Sequence, residues 1–238
     1  MRDRLLVPVL IGGGLVVLAL AIGLGSVAVA GGIRDRNRND VITVTGSAKK
    51  RITSDYVVWD VSVTSAQATA PDAARELGGW TKRIRAFFTR EGVEPSELTV
   101  QPISTETIGS RRVTAFKLTR FFEIRSSRVR AITDVAEHSS TLLAQGIPLS
   151  ADAPQYIYTK LPSLRPELLA TATRDAQRRG KVLVGSTGGH LGKLRNVDVG
   201  VFQVTSPNST DVSDYGEYDT STIDKDVTAV VDVTFSLK

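Results

Sequence analysis

The chain has 238 residues, no cysteine, 30 Lys and Arg against 25 Asp and Glu, and a formal net charge of +5. Without cysteine there is no disulfide, no lipid attached through a thiol and no thiolate metal site, so any fold must be held by packing. A basic excess this small supports weak attraction to acidic surfaces and falls short of the clustered cations and aromatics that nucleic-acid binding requires.

Residues 5–33 contain no charged side chain. About 20 apolar helical residues cross the roughly 30 Å hydrocarbon core, so this stretch is long enough to span a bilayer with tilt to spare. Met1 to Arg4 is a short basic start and Ala28-Val29-Ala30 fits a signal-peptidase site, which makes cleavage near Ala30, giving a secreted or periplasmic protein, the alternative. A cleavable core usually has about 7 to 15 apolar residues, and the greater length here favours an uncleaved, single-pass anchor. Arg34, Arg36 and Arg38 outnumber Arg2 and Arg4, which by the positive-inside rule argues for a cytoplasmic domain. Long domains translocate largely regardless of such charges, and the signal-like start favours an extracytoplasmic one. The expected organisation is an anchor or signal segment over residues 1–33, a polar linker over 34–40 and one domain over 41–238.

Val41 to Arg51 and Asp55 to Thr64 read as strands, the second with Val57, Trp59, Val61 and Val63 on one face. From Pro71 the period turns helical, with Leu77, Trp80, Ile84, Phe87 and Phe88 on one stripe and Gly92 as the stop. Glu97 to Thr105 and Val113 to Ile124 are the next strands; the second carries Phe116, Leu118, Phe122 and Ile124 on one face with Arg120, an edge residue or a paired charge. A second helix from about Ser127 to Gly146 places Val129, Ile132, Ala136 and Leu143 inward, and Gln155 to Thr159 is a short strand. The longest helix starts near Ser163, buries Leu164, Leu168, Ala172, Ala176 and Leu183, and exposes Arg174, Asp175, Gln177, Arg178, Arg179 and Lys181. Asn196 to Thr205 and the alternating Val227 to Leu237 close the chain as strands. This order predicts an α+β domain with antiparallel or mixed sheets packed by amphipathic helices.

The opening strand Val41-Ile42-Thr43-Val44-Thr45-Gly46, the loop Glu91-Gly92-Val93 leading to Leu98-Thr99-Val100, Arg174-Asp175-Ala176 with Lys181, and Leu191-Gly192-Lys193-Leu194 occur in a telling order. In that order the chain resembles the SIMPL-domain family, also called DUF541, over about residues 41 to 238. It departs at Ser54-Asp55, where members usually have Pro-Asp, and at Arg178-Arg179-Gly180, where the helix is usually richer in alanine. The resemblance implies an extracytoplasmic, periplasmic-type protein associated with the cell envelope or stress. It further implies that some members form ring-like oligomers, and it brings no catalytic residue set to carry over.

A search by residue type agrees. His138 and His190 stand alone, without the spacing of a triad or of a two-His-carboxylate site. Gly185 to Lys193 fails the phosphate-loop pattern at Thr187 and Leu194, and it leaves a helix where a phosphate loop would enter one. Asp211, Asp214, Glu217, Asp219, Asp224 and Asp226 are acidic, but an EF-hand starting at Asp211 would meet Ser213, Tyr215 and Thr222 where ligands belong. Ser206 to Thr222 reads as a solvated insertion, with Asn208-Ser209-Thr210 a formal glycosylation sequon. The Arg125 to Arg130 cluster reads as a solvated helix start, and Asp55, Asp60 and Glu123 as ordinary strand-face carboxylates.

No catalytic, cofactor-binding or metal residue is therefore assigned, and no nucleic-acid partner. The expected function is that of a non-enzymatic, membrane-anchored, extracytoplasmic protein, held through residues 5–33 and assembling as a homo-oligomer through the valine-rich edge of Val227 to Leu237. The alternative is a binding module for a small molecule or partner protein, with Arg111, Arg112 and the basic face of the long helix supplying acidic contacts.

Overall fold

A computed structural model describes residues 40–109, 114–210, 213 and 215–238. The expected membrane segment, the linker up to residue 39, and Arg111 and Arg112 lie outside the described residues. Among the described residues no helix is long and apolar enough to cross a membrane.

The elements run β1 (Val41–Thr53), β2 (Tyr56–Gln67), α1 (Ala70–Arg90), β3 (Leu98–Val100), β4 (Ser104–Ile108), β5 (Ala115–Ser126), α2 (Val129–His138), α3 (Ser140–Ala144), β6 (Leu149–Ala151) and β7 (Gln155–Ile157). They continue with α4 (Leu161–Gly185), β8 (Leu191–Val199), β9 (Gln203–Thr205), β10 (Glu217–Tyr218) and β11 (Asp224–Leu237). One sheet has the order β1-β11-β9-β10, with β8 also on β11; the other has β3-β5-β2-β6, with β4 on β5 and β7 on β2. The pairing is antiparallel between β2 and β5 and between β9 and β11, and parallel between β9 and β10, so the fold is mixed α+β as expected. The chain divides into two compact units, one over residues 40–45, 176–198 and 232–238 and the other over 46–175 and 199–231.

In the larger unit, β2 alternates as the period of a half-buried strand requires, with Val57, Trp59, Val61 and Val63 all buried. They meet Leu118, Phe122 and Ile124 of β5 and the Leu77, Ile84, Phe87 and Phe88 stripe of α1. Phe88 sits edge-on to Trp59 at 5.9 Å and to Phe122 at 6.1 Å, the geometry that brings a ring edge to a ring face. The Trp59 indole donates to the Asp152 carbonyl at 2.9 Å, so this buried ring is also satisfied. Thr69 caps α1 by accepting from the Asp72 amide, and Gly92 ends it at φ +86°, a conformation that favours glycine.

Several expected side chains change places. Trp80 is only half-buried at the rim of this core, and Trp59 is the fully buried tryptophan. The second helix breaks at Ser139, whose hydroxyl donates to the Ala136 carbonyl at 2.6 Å. That break resets the phase, so Val135 and Leu142 are buried while Ala136 is half-buried and Leu143 is exposed. Arg120 is not on an edge strand and among the described residues pairs with no carboxylate: on β5 it donates to the Gln101 carbonyl at 2.7 Å. The strand expected from Asn196 to Thr205 is interrupted between β8 and β9. Nor is β11 an edge, since β1 flanks one side and β8 and β9 the other.

In the smaller unit, Ala176, Gly180 and Val184 form the buried side of α4, and a Cβ on Gly180 would lie 3.2 Å from the Leu191 side chain and 3.5 Å from Val44. The expected inward Leu183 is instead exposed, because the buried row follows a four-residue step through Gly180 to Val184. Thr43 bonds Thr234 at 2.9 Å, the Leu237 amide donates to the Asp40 carbonyl at 2.8 Å, and His190 and Lys238 exchange backbone bonds. Gly192 is required by close approach: a Cβ there would lie 2.6 Å from the Ser236 carbonyl oxygen.

Candidate functional site

Of the carboxylates singled out in sequence, Asp55 and Glu123 have side-chain hydrogen-bond partners, and Asp60 lies beside Glu123. Burial works against the charge of Asp55, but the Thr159 amide at 2.7 Å, the Thr159 hydroxyl at 2.9 Å and Lys160 hold its pKa below the usual range. Asp60 is pushed up by burial and by the neighbouring charges of Glu123, its Cα partner across the β2–β5 pair, and Asp152. Glu123 is held down by Arg125, which donates to both its oxygens. No metal-holding group of three or more His, Asp or Glu occurs among the described residues.

The remaining candidates scatter. His138 lies at the end of α2 with Nδ1 3.3 Å from Glu91, and His190 sits in the turn between α4 and β8. That turn leaves a helix and enters a strand, with Gly188 at φ +79°, so it is the helix stop read from sequence. Of the Arg125 to Arg130 cluster, Arg128 turns back to Glu97, whose pKa its side-chain bond lowers to about 2. Asp211 and Asp214 lie outside the described residues, while Asp219 accepts from Ser221 and Thr222, and Asp224 accepts from Thr53.

Two buried charges sit on successive residues of β11: Asp226, read in sequence as one of a run of acidic residues, and Lys225, which that reading did not mark. Asp226 is 2% exposed and accepts from Arg51 at 2.9 and 3.1 Å, from Lys49 at 3.0 Å and from the Asn208 amide at 3.0 Å. The Arg51 bond comes first among the causes that hold its carboxyl well below the usual range. Lys225 is wholly buried, donates to the Thr222 carbonyl and lies 3.6 Å from Asp219; burial lowers its pKa and Asp219 opposes that shift. Both are satisfied by the protein itself, as buried charges must be.

Among the described residues the Ser54 hydroxyl, the Arg120 Nε and the Gln203 side-chain oxygen are buried without a partner, and of these three Gln203 lines a groove. Gln203 is 7% exposed on β9, its amide nitrogen donates to the Ser213 carbonyl at 2.5 Å, and its side-chain oxygen has no partner among the described residues. An orphaned acceptor this deep carries a desolvation cost of about 1–3 kcal/mol. Gln203 lines a groove of about 500 Å³ between the β8–β9 junction, Thr228 and Val230 of β11, and the segment around Ser209 and Ser213. Local geometry opens it. The Gly200 amide donates to the Val230 carbonyl at 3.0 Å, and a Cβ there would stand 3.2 Å from that same oxygen, a tight contact that glycine avoids where the chain steps from β8 to β9. The described lining consists of amide, hydroxyl and valine groups with no carboxylate, histidine or lysine. Chemically it offers hydrogen bonds and apolar contact, without a general base to activate a hydroxyl. Sequence carried no signal for it beyond Gly200.

Solved structures align with this chain only weakly. The de novo designed protein Foldit4 aligns at 13% identity and a TM-score of 0.22, over 41% of this chain and 93% of its own. An amidase of the hydantoinase/carbamoylase family from Burkholderia multivorans aligns at 11% identity and a TM-score of 0.26, over 50% of this chain and 30% of its own. Another from Burkholderia phymatum aligns at 14% identity and a TM-score of 0.26, over 53% and 34%. The chain spans about a third of each amidase, and likeness this low says nothing of activity. Comparison with curated proteins gives no match. The family model of SIMPL, described as a protein of unknown function (DUF541), matches residues 42–235, and the chain belongs to that family.

Proposed function

We propose that the protein is a membrane-anchored, extracytoplasmic, non-enzymatic SIMPL domain of the cell envelope that assembles with copies of itself. The charge-free stretch over residues 5–33 supports the anchor. The observation that carries assembly is the open side of β4. All five residues of Ser104–Ile108 are exposed, their only strand partner among the described residues is β5, and Ile103, Ile108 and Phe121 are exposed apolar side chains nearby in the chain or sheet. A strand edge presents unpaired amides and carbonyls that another copy can satisfy. By contrast, the outer strand β1 is blunted: Lys49, Lys50 and Arg51 follow one another, and the Ser47 amide is taken by Asp175 at 3.2 Å. The test is the native mass of the detergent-extracted full chain, with crosslinking in membranes. Oligomers that dissociate in Ile108→Lys without loss of far-ultraviolet ellipticity support the reading; monomers in both measurements overturn it.

The groove at Gln203 supports a second reading, a binding module for a neutral ligand that donates a hydrogen bond. Titrating the full chain with a short capped neutral peptide tests it. Binding that disappears in Gln203→Met supports this reading, and binding unaffected by that change removes the groove from it.

A further inference from the structure

Apolar side chains and cations crowd one part of the smaller unit. Val182 and Leu183 of α4 are 72% and 53% exposed, and with Arg178 and Arg179 they line a shallow depression of about 470 Å³. The spacing explains the grouping, since residues 178 and 182, and 179 and 183, are one helical turn apart and share a face. Lys181 adds a third cation beside them. This face lies away from the buried row of Ala176, Gly180 and Val184, so the helix spends its packing on one side and leaves two large aliphatic residues to solvent on another. A single exposed leucine needs no explanation; an adjacent aliphatic pair ringed by cations does.

The place where the chain enters this unit supplies the explanation. Asp40 and Val184 line one cleft, together with Lys193, Arg195 and Lys238, so the end of α4 lies beside the first described residue. Upstream of Asp40 only residues 34–39 separate the domain from the charge-free stretch over residues 5–33. Seven residues, 34 to 40, reach at most about 25 Å when fully extended. If that stretch spans a bilayer, this end of the unit is confined within a few tens of ångströms of the lipid surface, with Arg178, Arg179, Lys181, Lys193, Arg195 and Lys238 carried by it.

We propose that this end of the smaller unit docks on the surface of an anionic phospholipid bilayer, with Val182 and Leu183 entering the headgroup layer and Arg178, Arg179 and Lys181 facing lipid phosphates. Apolar insertion and attraction of basic side chains to anionic lipid are the two terms that hold a surface helix at a membrane, and α4 presents both on one face. The long basic stems lie along the apolar boundary with their heads in water. The inference rests on the anchored reading of residues 5–33.

The chain has no cysteine, so Leu183→Cys gives a single labelling site. Leu143→Cys, equally exposed at 53% but in the larger unit, is the control. The full chain carrying an environment-sensitive fluorophore is reconstituted into vesicles of phosphatidylglycerol and phosphatidylcholine, with brominated lipid as quencher. The expected result is loss of fluorescence at position 183 and none at 143, a loss diminished in pure phosphatidylcholine, in Arg178→Gln/Arg179→Gln/Lys181→Gln, and in molar salt, where the Debye length is about 3 Å. Equal and negligible quenching at both positions in protein that floats with the vesicles overturns docking. Quenching at 183 that is the same on neutral lipid overturns the anionic surface. A label shielded from aqueous iodide but untouched by brominated lipid shows that protein covers the face, and overturns the proposal in favour of a second copy. A chain that fails to float with vesicles after alkaline carbonate refutes the anchor, and the docking falls with it.

Discussion

The core under α1 and the buried face of α4 are packed by opposite means. Under α1, large rings fill volume: Trp59, Phe87, Phe88 and Phe122 are all buried, and Phe88 touches two other rings edge-on. Along α4 the buried row begins with Leu164 and Leu168 and then passes through Ala172, Ala176 and Gly180, small residues of which Gly180 stands in contact distance of Leu191 and Val44. The first interface is built from side-chain volume and the second from closeness of approach. One should therefore fail when atoms are removed, the other when they are added.

Truncation of the buried rings is the sharpest way to break that contrast. Trp59→Ala or Phe88→Ala should cost about 3–5 kcal/mol, read as a fall in the denaturant midpoint of the detergent-solubilised full chain. Ala172→Gly on α4 should cost only about 1 kcal/mol, mostly helix propensity. If the two losses are alike, the contrast is wrong. Additions come next. Gly180→Leu should destabilise by about 1–3 kcal/mol because Leu191 and Val44 already stand in contact distance of a Cβ. Gly192→Ala should be at least as harmful, since what it meets is the Ser236 backbone. Tolerance of both changes would show that the packing can yield.

Acid sharpens the comparison from the electrostatic side. Glu97, held at about 2 by the Arg128 bond, has a folded pKa below its unfolded value near 4.3. Its stabilisation is thus complete above about pH 4.3 and is lost as pH falls towards 2. Asp226 has the same sign, and Asp60, pushed up, has the opposite one. Glu97→Gln should lower stability at neutral pH and flatten its decline below pH 4; an unchanged decline would remove Glu97 from the acid response. The smallest expected effect is Leu183→Ser in detergent, within about 0.5 kcal/mol, because that side chain is exposed.

The legible part of the fold was the part governed by short periods. Alternation marked β2, β5 and β11, and the helical stripe marked α1, because each has one buried and one wet face. The reading failed where a local event changes the phase. Ser139 divides what looks like one helix, and a reader carrying the first phase across it selects Leu143 in place of Leu142. On α4 the buried row includes Gly180, which sequence logic treats as a weak point of a helix, so Leu183 looked the better core residue than Val184. Trp80 lies on the right helix face but at its rim. The Gln203 groove was illegible because it depends on a break between two strands and on a missing partner, neither of which has a composition.

The Arg51–Asp226 pairing has a consequence for how β11 finds its place. A slip of one residue would turn its valines outward and is penalised by the whole apolar face. A slip of two residues keeps every valine inward, so the regular alternation from Val227 to Phe235 cannot tell the native alignment from its neighbour two steps away. The charges can. Only in the native alignment does the deeply buried Asp226 carboxylate meet the Arg51 fork, while Lys225, pointing the other way, reaches Thr222 and Asp219. Shifted by two, Asp226 would leave the Arg51 fork and keep at most the single charge of Lys49, so this two-pronged contact is the strand's alignment mark, written in the one vocabulary that its repeating valines lack.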